Sequence, residues 1–199
     1  MVRLRGIPSI IILLLLVGCT YSPYRYSFSL IDPYVEGLHY EDKDVSFQFT
    51  PTAEYIWVSI YNRSEDNIYF VEDEAEYIDT WGKPHSILFG WGYASAMKDF
   101  MRDDLYLSPI KIAPKSASEG NIWINVWPGA DIGEGWTTVK DIEIDYLDHS
   151  MLPEYAFQGD GMTLKGSTFY LKLPVSFDGY KRDYEFTFMI TDVKALGPK

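Results

Sequence analysis

A single cysteine in 199 residues leaves no partner for an intrachain disulfide and rules out a zinc site built on several thiolates. Basic residues are scarce as well. Lys and Arg number 17 against 29 Asp and Glu, for a net charge of −12 and a pI near 4.6. Nucleic-acid binding rests on Lys and Arg displacing phosphate counterions, so no nucleic-acid partner is expected. A purely electrostatic hold on anionic lipid is disfavoured on the same ground. The three histidines, His39, His85 and His149, have no i, i+4 partner and no His-Glu-x-x-His frame, so no metal site is expected of them. Gly92-Tyr93-Ala94-Ser95-Ala96 lacks the closing glycine of a nucleophile elbow. Gly129, Gly133 and Gly135 stand without a Walker lysine or a dinucleotide-binding strand and helix. No catalytic residue and no cofactor is therefore expected. What remains is 47% hydrophobic and 17% aromatic, free of low-complexity tracts, over a length that suits one domain.

Only one long apolar run occurs, and it lies at the start. Arg3 and Arg5 form a short basic region, and residues 10–17 (IIILLLLV) follow. As a helix this run would span about 12 Å against a bilayer core of about 30 Å, so the layout is that of a secretory signal. It closes on Leu16-Val17-Gly18-Cys19, which resembles a bacterial lipobox. The resemblance implies a signal peptide over residues 1–18, recognised through Leu16, Val17 and Gly18. It also implies a diacylglyceride on the Cys19 thiol and acylation of the new amino group. Several acyl chains, at about 0.8 kcal/mol per buried methylene, hold a protein stably where one does not. The only thiol is then taken up by covalent lipid. Thr20 stands where lipoproteins kept at the inner membrane commonly carry Asp, so the resemblance implies the outer membrane. The mature chain would keep 15 basic against 29 acidic residues, a net charge of −14.

Residues 20–41 carry two prolines and five tyrosines without a sustained period, and read, with the lipidated Cys19, as a tether that partly packs onto the domain. From 42 to 195 period two dominates, which predicts strands. Residues 45–49 (VSFQF) alternate. Residues 55–61 (YIWVSIY) put Ile56, Val58 and Ile60 on one face and Tyr55, Trp57, Ser59 and Tyr61 on the other. Residues 67–70, 86–89, 109–113, 121–127 and 139–146 continue the pattern. The clearest pair is 168–177 and 183–193, joined across Asp178-Gly179, a strong hairpin signal because glycine takes positive φ without strain. Pro174 cannot donate to a ladder and predicts an edge or a bulge. Residues 94–104 alone show a helical period, predicting one or two turns, and 147–163 read as a long loop. Eight or more short strands between turn signals predict an all-β fold, a single antiparallel β-sandwich over 42–195, immunoglobulin-like in broad architecture.

Residues 56–85 run from a strand closing on Asn62, through a polar turn and a short strand, to Tyr77-Ile78-Asp79-x-x-Gly82-x-x-His85. That pattern resembles one recurring in uncharacterised bacterial lipoproteins of similar size. Together with the lipobox it implies an anchored Ig-like sandwich, and it carries no catalytic residue across.

Acidic and aromatic clusters are the remaining candidates. Asp141, Glu143 and Asp145 line one strand face at spacings of about 6.7 Å, too extended to wrap calcium, and read as a solvated sheet face. The run 72–76 (EDEAE) reads the same way. Asp79, three residues before Gly82, suits a turn that it organises by accepting backbone amides. The Asn62-Arg63-Ser64 sequon is read as accidental in a bacterial chain. Trp123 and Trp127 share a strand face opposite Ile122, Ile124 and Val126. Two readings stay open for Trp57, Tyr61, Trp123 and Trp127. Either they form an exposed face that stacks a glycan, peptidoglycan or a partner's apolar edge, or they are core or are covered by 20–41 and 147–163. The expectation is a non-catalytic envelope lipoprotein, binding or scaffolding at the periplasmic side of the outer membrane. Its partners would be the membrane, through the anchor, and an envelope protein or glycan. The alternative is a surface-exposed carbohydrate-binding lipoprotein using the aromatic strand face.

Overall fold

The structure is a computed structural model that describes residues 23–102, 108–125 and 149–196. The lipobox with Cys19, Trp127 and the strand expected at 139–146 with Asp141, Glu143 and Asp145 lie outside the described residues. The elements are β1 (Tyr24–Asp32), β2 (His39–Glu41), β3 (Val45–Pro51), β4 (Ile56–Asn62), β5 (Ile68–Phe70), β6 (Glu76–Ile78) and β7 (Pro84–Gly90). Helix α1 (Tyr93–Arg102) follows, then β8 (Ile110–Ile112), β9 (Ala117–Ile124), β10 (Thr168–Phe177) and β11 (Tyr180–Ala195). Short 3-10 turns occupy Glu72–Glu74 and Gly161–Leu164.

The fold is all-β with one helix, but the two-sheet sandwich expected from the strand count is not what forms. Nine strands make a single, strongly curled antiparallel sheet in the order β1-β11-β10-β6-β7-β9-β4-β3-β2, a half-barrel. Strands β5 and β8 form a short ribbon beside β10. The reason lies in β7. Its first residues pair with β6 (Ile78↔Pro84 to Glu76↔Ser86), and its last pair with β9 (Ile87↔Ile124 to Gly90↔Asn121). One strand thus hands the ladder from one half to the other, and the sheet bends where a sandwich would break. A strongly twisted sheet of this size buries its inner face by curling on itself.

The curl sets the β3–β4 hairpin against β11. Phe47 lies 5.1 Å from Phe186, and Phe49 lies 4.7 Å from Phe186 and 5.2 Å from Phe188, ring centre to ring centre. Val58, Ile60, Leu171 and Leu173 are fully buried in the same core. The alternation that predicted β3 and β4 also carries one polar residue inward. Asn62 is completely buried, its amide donating to the carbonyls of Asp66 and Ile112, and its oxygen accepting from the Ser64 amide and hydroxyl. The lips of the half-barrel are joined by Arg182, which donates to Asp42 at 2.6 Å, while the Tyr184 hydroxyl donates to the same carboxylate at 3.0 Å. Burial alone would raise the Asp42 carboxyl. The Val45 and Asp44 amides, Tyr184 and Arg182 outweigh it and hold the group below its ordinary value.

Two further differences concern the ends and the helix. The stretch read as a tether supplies β1, which pairs with β11 from Tyr24↔Ala195 to Asp32↔Thr187, and β2, which pairs with β3. Helix α1 runs ten residues, nearly three turns, and not the one or two expected. It packs on the outer face of β7 and β9, where Leu88 and Trp123 stand directly opposite each other in register. Pro174 sits in an interior strand. Its missing N–H falls in the gap where β10 changes partner from β6 to β5, and its carbonyl accepts from Val71.

Candidate binding groove

Strand β5 alternates cleanly, with Ile68 and Phe70 buried and Tyr69 38% exposed between them. Cross-strand register extends this outward position into a row. Lys181 of β11 stands opposite Ser176 of β10, Ser176 opposite Tyr69, and Tyr69 opposite Lys111 of β8. Residues directly opposite in an antiparallel ladder share a face, so the four side chains form one stripe across four strands. Two open hollows meet along it at Tyr69 and Ser176. One, about 310 Å³, is closed by Asp66, Asn67, Phe177 and Asp178. The other, about 510 Å³, is closed by Val71, Asp73, Glu74, Pro109 and Lys181.

The groove walls are fixed from behind. Phe177 and Tyr180 stack at 4.8 Å and 11°, and the Arg182 guanidinium lies over both rings at 5.5 and 5.8 Å. Lys181 is ion-paired with Glu74, whose hydrogen bond holds the ammonium above its ordinary pKa. On the other side, Val71, Asp73 and Glu74 face the groove while Glu72 turns inward and accepts from the Phe89 amide at 2.7 Å. Strand β6 starts at Glu76, opposite Ser86, too late in the chain to face Phe89, so a carboxylate occupies the acceptor position that an earlier start would have filled. Burial pushes the Glu72 carboxyl up to about 7, against the lowering effect of the Phe89 amide and with a further push from Asp73 and Asp99. The hollows offer an exposed tyrosine ring, an amide, a hydroxyl, carboxylates and the Lys181 ammonium, with Lys111 in register beside Tyr69. These groups suit a ligand rich in hydroxyls.

The aromatic residues singled out from the sequence are not gathered into one surface. Trp57 is half-buried and Tyr61 is exposed, both on the outer face of β4 and separated by Ser59. Trp123 is 3% exposed, covered by α1, and touches Tyr55 at 5.9 Å and Tyr93 at 6.2 Å. Trp127 lies outside the described residues. The three histidines each meet a carboxylate: His39 with Glu41, His85 with Asp79 at 2.9 Å and His149 with Glu54 at 3.1 Å. Among the described residues no three His, Cys, Asp or Glu side chains are placed to hold a metal ion. Asp79 organises the β6–β7 turn as its spacing from Gly82 predicts. One of its oxygens accepts from the Trp81 and Lys83 amides and the other meets His85. The Tyr-Ile-Asp-x-x-Gly-x-x-His pattern is thus a hairpin clamp. Tyr69 was legible as an outward residue, but no local signal joins residues 66–74 to 176–181. No family model, curated protein or solved structure matches the chain.

Proposed function

We propose that this protein is a non-catalytic, lipid-anchored binding module of the bacterial cell envelope, on the periplasmic side of the outer membrane, that holds a hydroxyl-rich ligand such as a glycan strand in the groove around Tyr69. The groove itself carries the reading. Two open hollows share Tyr69 and Ser176, and together they set an aromatic ring among short polar side chains. Sugars are recognised in this way, with a ring covering the C–H face and amides, hydroxyls and carboxylates meeting the hydroxyls. The lipobox resemblance supports the envelope address. No helix among the described residues is long and apolar enough to cross a membrane.

Calorimetric titration of the full-length protein with soluble peptidoglycan fragments tests the reading. Tyr69→Ala should weaken binding by about tenfold or more, since interface energy concentrates in aromatic anchors, and should leave thermal unfolding unchanged. Trp57→Ala should bind as the parent does. If Trp57→Ala loses binding while Tyr69→Ala keeps it, the outer strand face is the site. Release of shorter fragments during the titration would make the protein an enzyme and overturn the non-catalytic reading.

A further inference from the structure

We propose that Trp81, Phe157 and Leu196 form a membrane-contacting rim that rests on the lipid surface beside the anchor; this inference depends on the reading of Cys19 as the lipidated residue. Pro23 fixes where the chain leaves the fold. It bridges to Tyr155, its carbonyl accepts from the Leu196 amide at 2.8 Å, and the Tyr24 amide donates to the Glu154 carbonyl at 2.8 Å. Four peptide units separate Cys19 from Pro23, which at full extension reach about 14 Å. An acylated Cys19 therefore holds the 153–158 loop and the end of β11 within a short tether of the bilayer.

The side chains at this end suit that position. Phe157 is 69% exposed and stacked on Tyr155 at 5.5 Å. Trp81 is 71% exposed at the tip of the β6–β7 hairpin, across a small hollow from Leu152, Pro153 and Gln158. The Asp79 clamp fixes the backbone of that tip, so Trp81 stands on an ordered turn. Tryptophan favours the water–lipid boundary, where its amphipathic ring sits at the level of the headgroups. Charge agrees as well. In an acidic chain, Arg25 and Lys194 stand directly opposite each other one step from Tyr24↔Ala195, and Lys165 is close by on Asp192. Glu154 and Asp160 balance them, so the rim suits a zwitterionic surface and not a strongly anionic one.

The test uses the acylated full-length protein in phosphatidylcholine vesicles whose lipids are brominated near the headgroup. Tryptophan fluorescence of the parent should be quenched relative to unbrominated vesicles. Trp81→Phe should lose the larger part of that quenching while sedimenting with the vesicles as before. Trp91→Phe should keep it, because Trp91 lies at the far end of β7, about 20 Å away. Equal quenching in the parent and Trp81→Phe, or none in an acylated parent, overturns the rim and leaves the anchor standing. A parent whose mass shows no acyl chains on Cys19 overturns the anchor reading and the rim with it.

Discussion

Glu72 shows how a single residue can depart from its local pattern. The run 72–76 reads as a solvated acidic face, yet Glu72 is buried and its carboxyl is pushed up to about 7, chiefly by burial. In the unfolded chain the same group titrates near its ordinary value. Between roughly pH 4.5 and 7 the folded protein therefore binds more protons than the unfolded one, and stability falls as pH rises through that window before levelling off. Glu72→Gln keeps an oxygen for the Phe89 amide and removes the titration. Urea unfolding at pH 5 and pH 8 should show the variant gaining up to about 3 kcal/mol on the parent at the higher pH and little at the lower. An equal difference at both values would sink the assignment. The lowered Asp42 and Asp79 do not interfere, since their contribution is lost only as pH falls below the ordinary carboxylate range. Local pattern does place Asn62 inward, as the next step after Ile56, Val58 and Ile60, so its burial was open to reading. Glu72 carried no such signal, because its role depends on where β6 starts.

At the scale of elements, β9 separates its aromatic from its aliphatic face as the sequence implied, but alternation cannot say which face water sees. Ile122 and Ile124 enter the barrel core, and Trp123 enters a second cluster with Leu88, Tyr93, Ala96 and Met97 beneath α1. One sign of this was available. Residues 87–89 of β7 are apolar in succession, the mark of a strand buried on both faces, and Met97 and Phe100 gave α1 an apolar side that needed a partner. The pairing of that side with β7 and β9 is a tertiary fact with no local trace. The Trp123 indole N–H has no hydrogen-bond partner among the described residues, so its removal acts on packing. Trp123→Ala should cost about 3–5 kcal/mol in a denaturant titration, as large aromatic deletions in packed interiors do. Trp57→Ala, on the half-exposed face, should cost clearly less. A near-neutral Trp123→Ala would mean that α1 does not cover the sheet.

The whole molecule turns on how the curled sheet ends. Alternating strands look alike in a sandwich and in a half-barrel, which is why the all-β class was readable and the architecture was not. The difference rests on β7 pairing with both halves and on which strands occupy the edges. Strand β1 could have been read from Tyr24, Tyr26, Phe28 and Leu30 alternating with Arg25, Ser27 and Ser29, but Pro23 and Pro33 on either side gave the stretch the look of a linker. In the fold, β1 covers most of one side of the sixteen-residue β11, buries Leu30 in the core, and ties the 153–158 loop down through the Tyr26 hydroxyl, which donates to the Pro153 carbonyl at 2.7 Å. Removing it would leave β11 with a long unpaired edge, a template for pairing with other chains. A chain beginning at Pro23 should therefore unfold cooperatively and stay monomeric. One beginning at Asp42 should lose the cooperative transition or aggregate, as read by thermal unfolding followed in the far-UV together with light scattering. If the shorter chain unfolds as sharply as the longer one, β1 and β2 are both dispensable, and residues 42–195 close the half-barrel on their own.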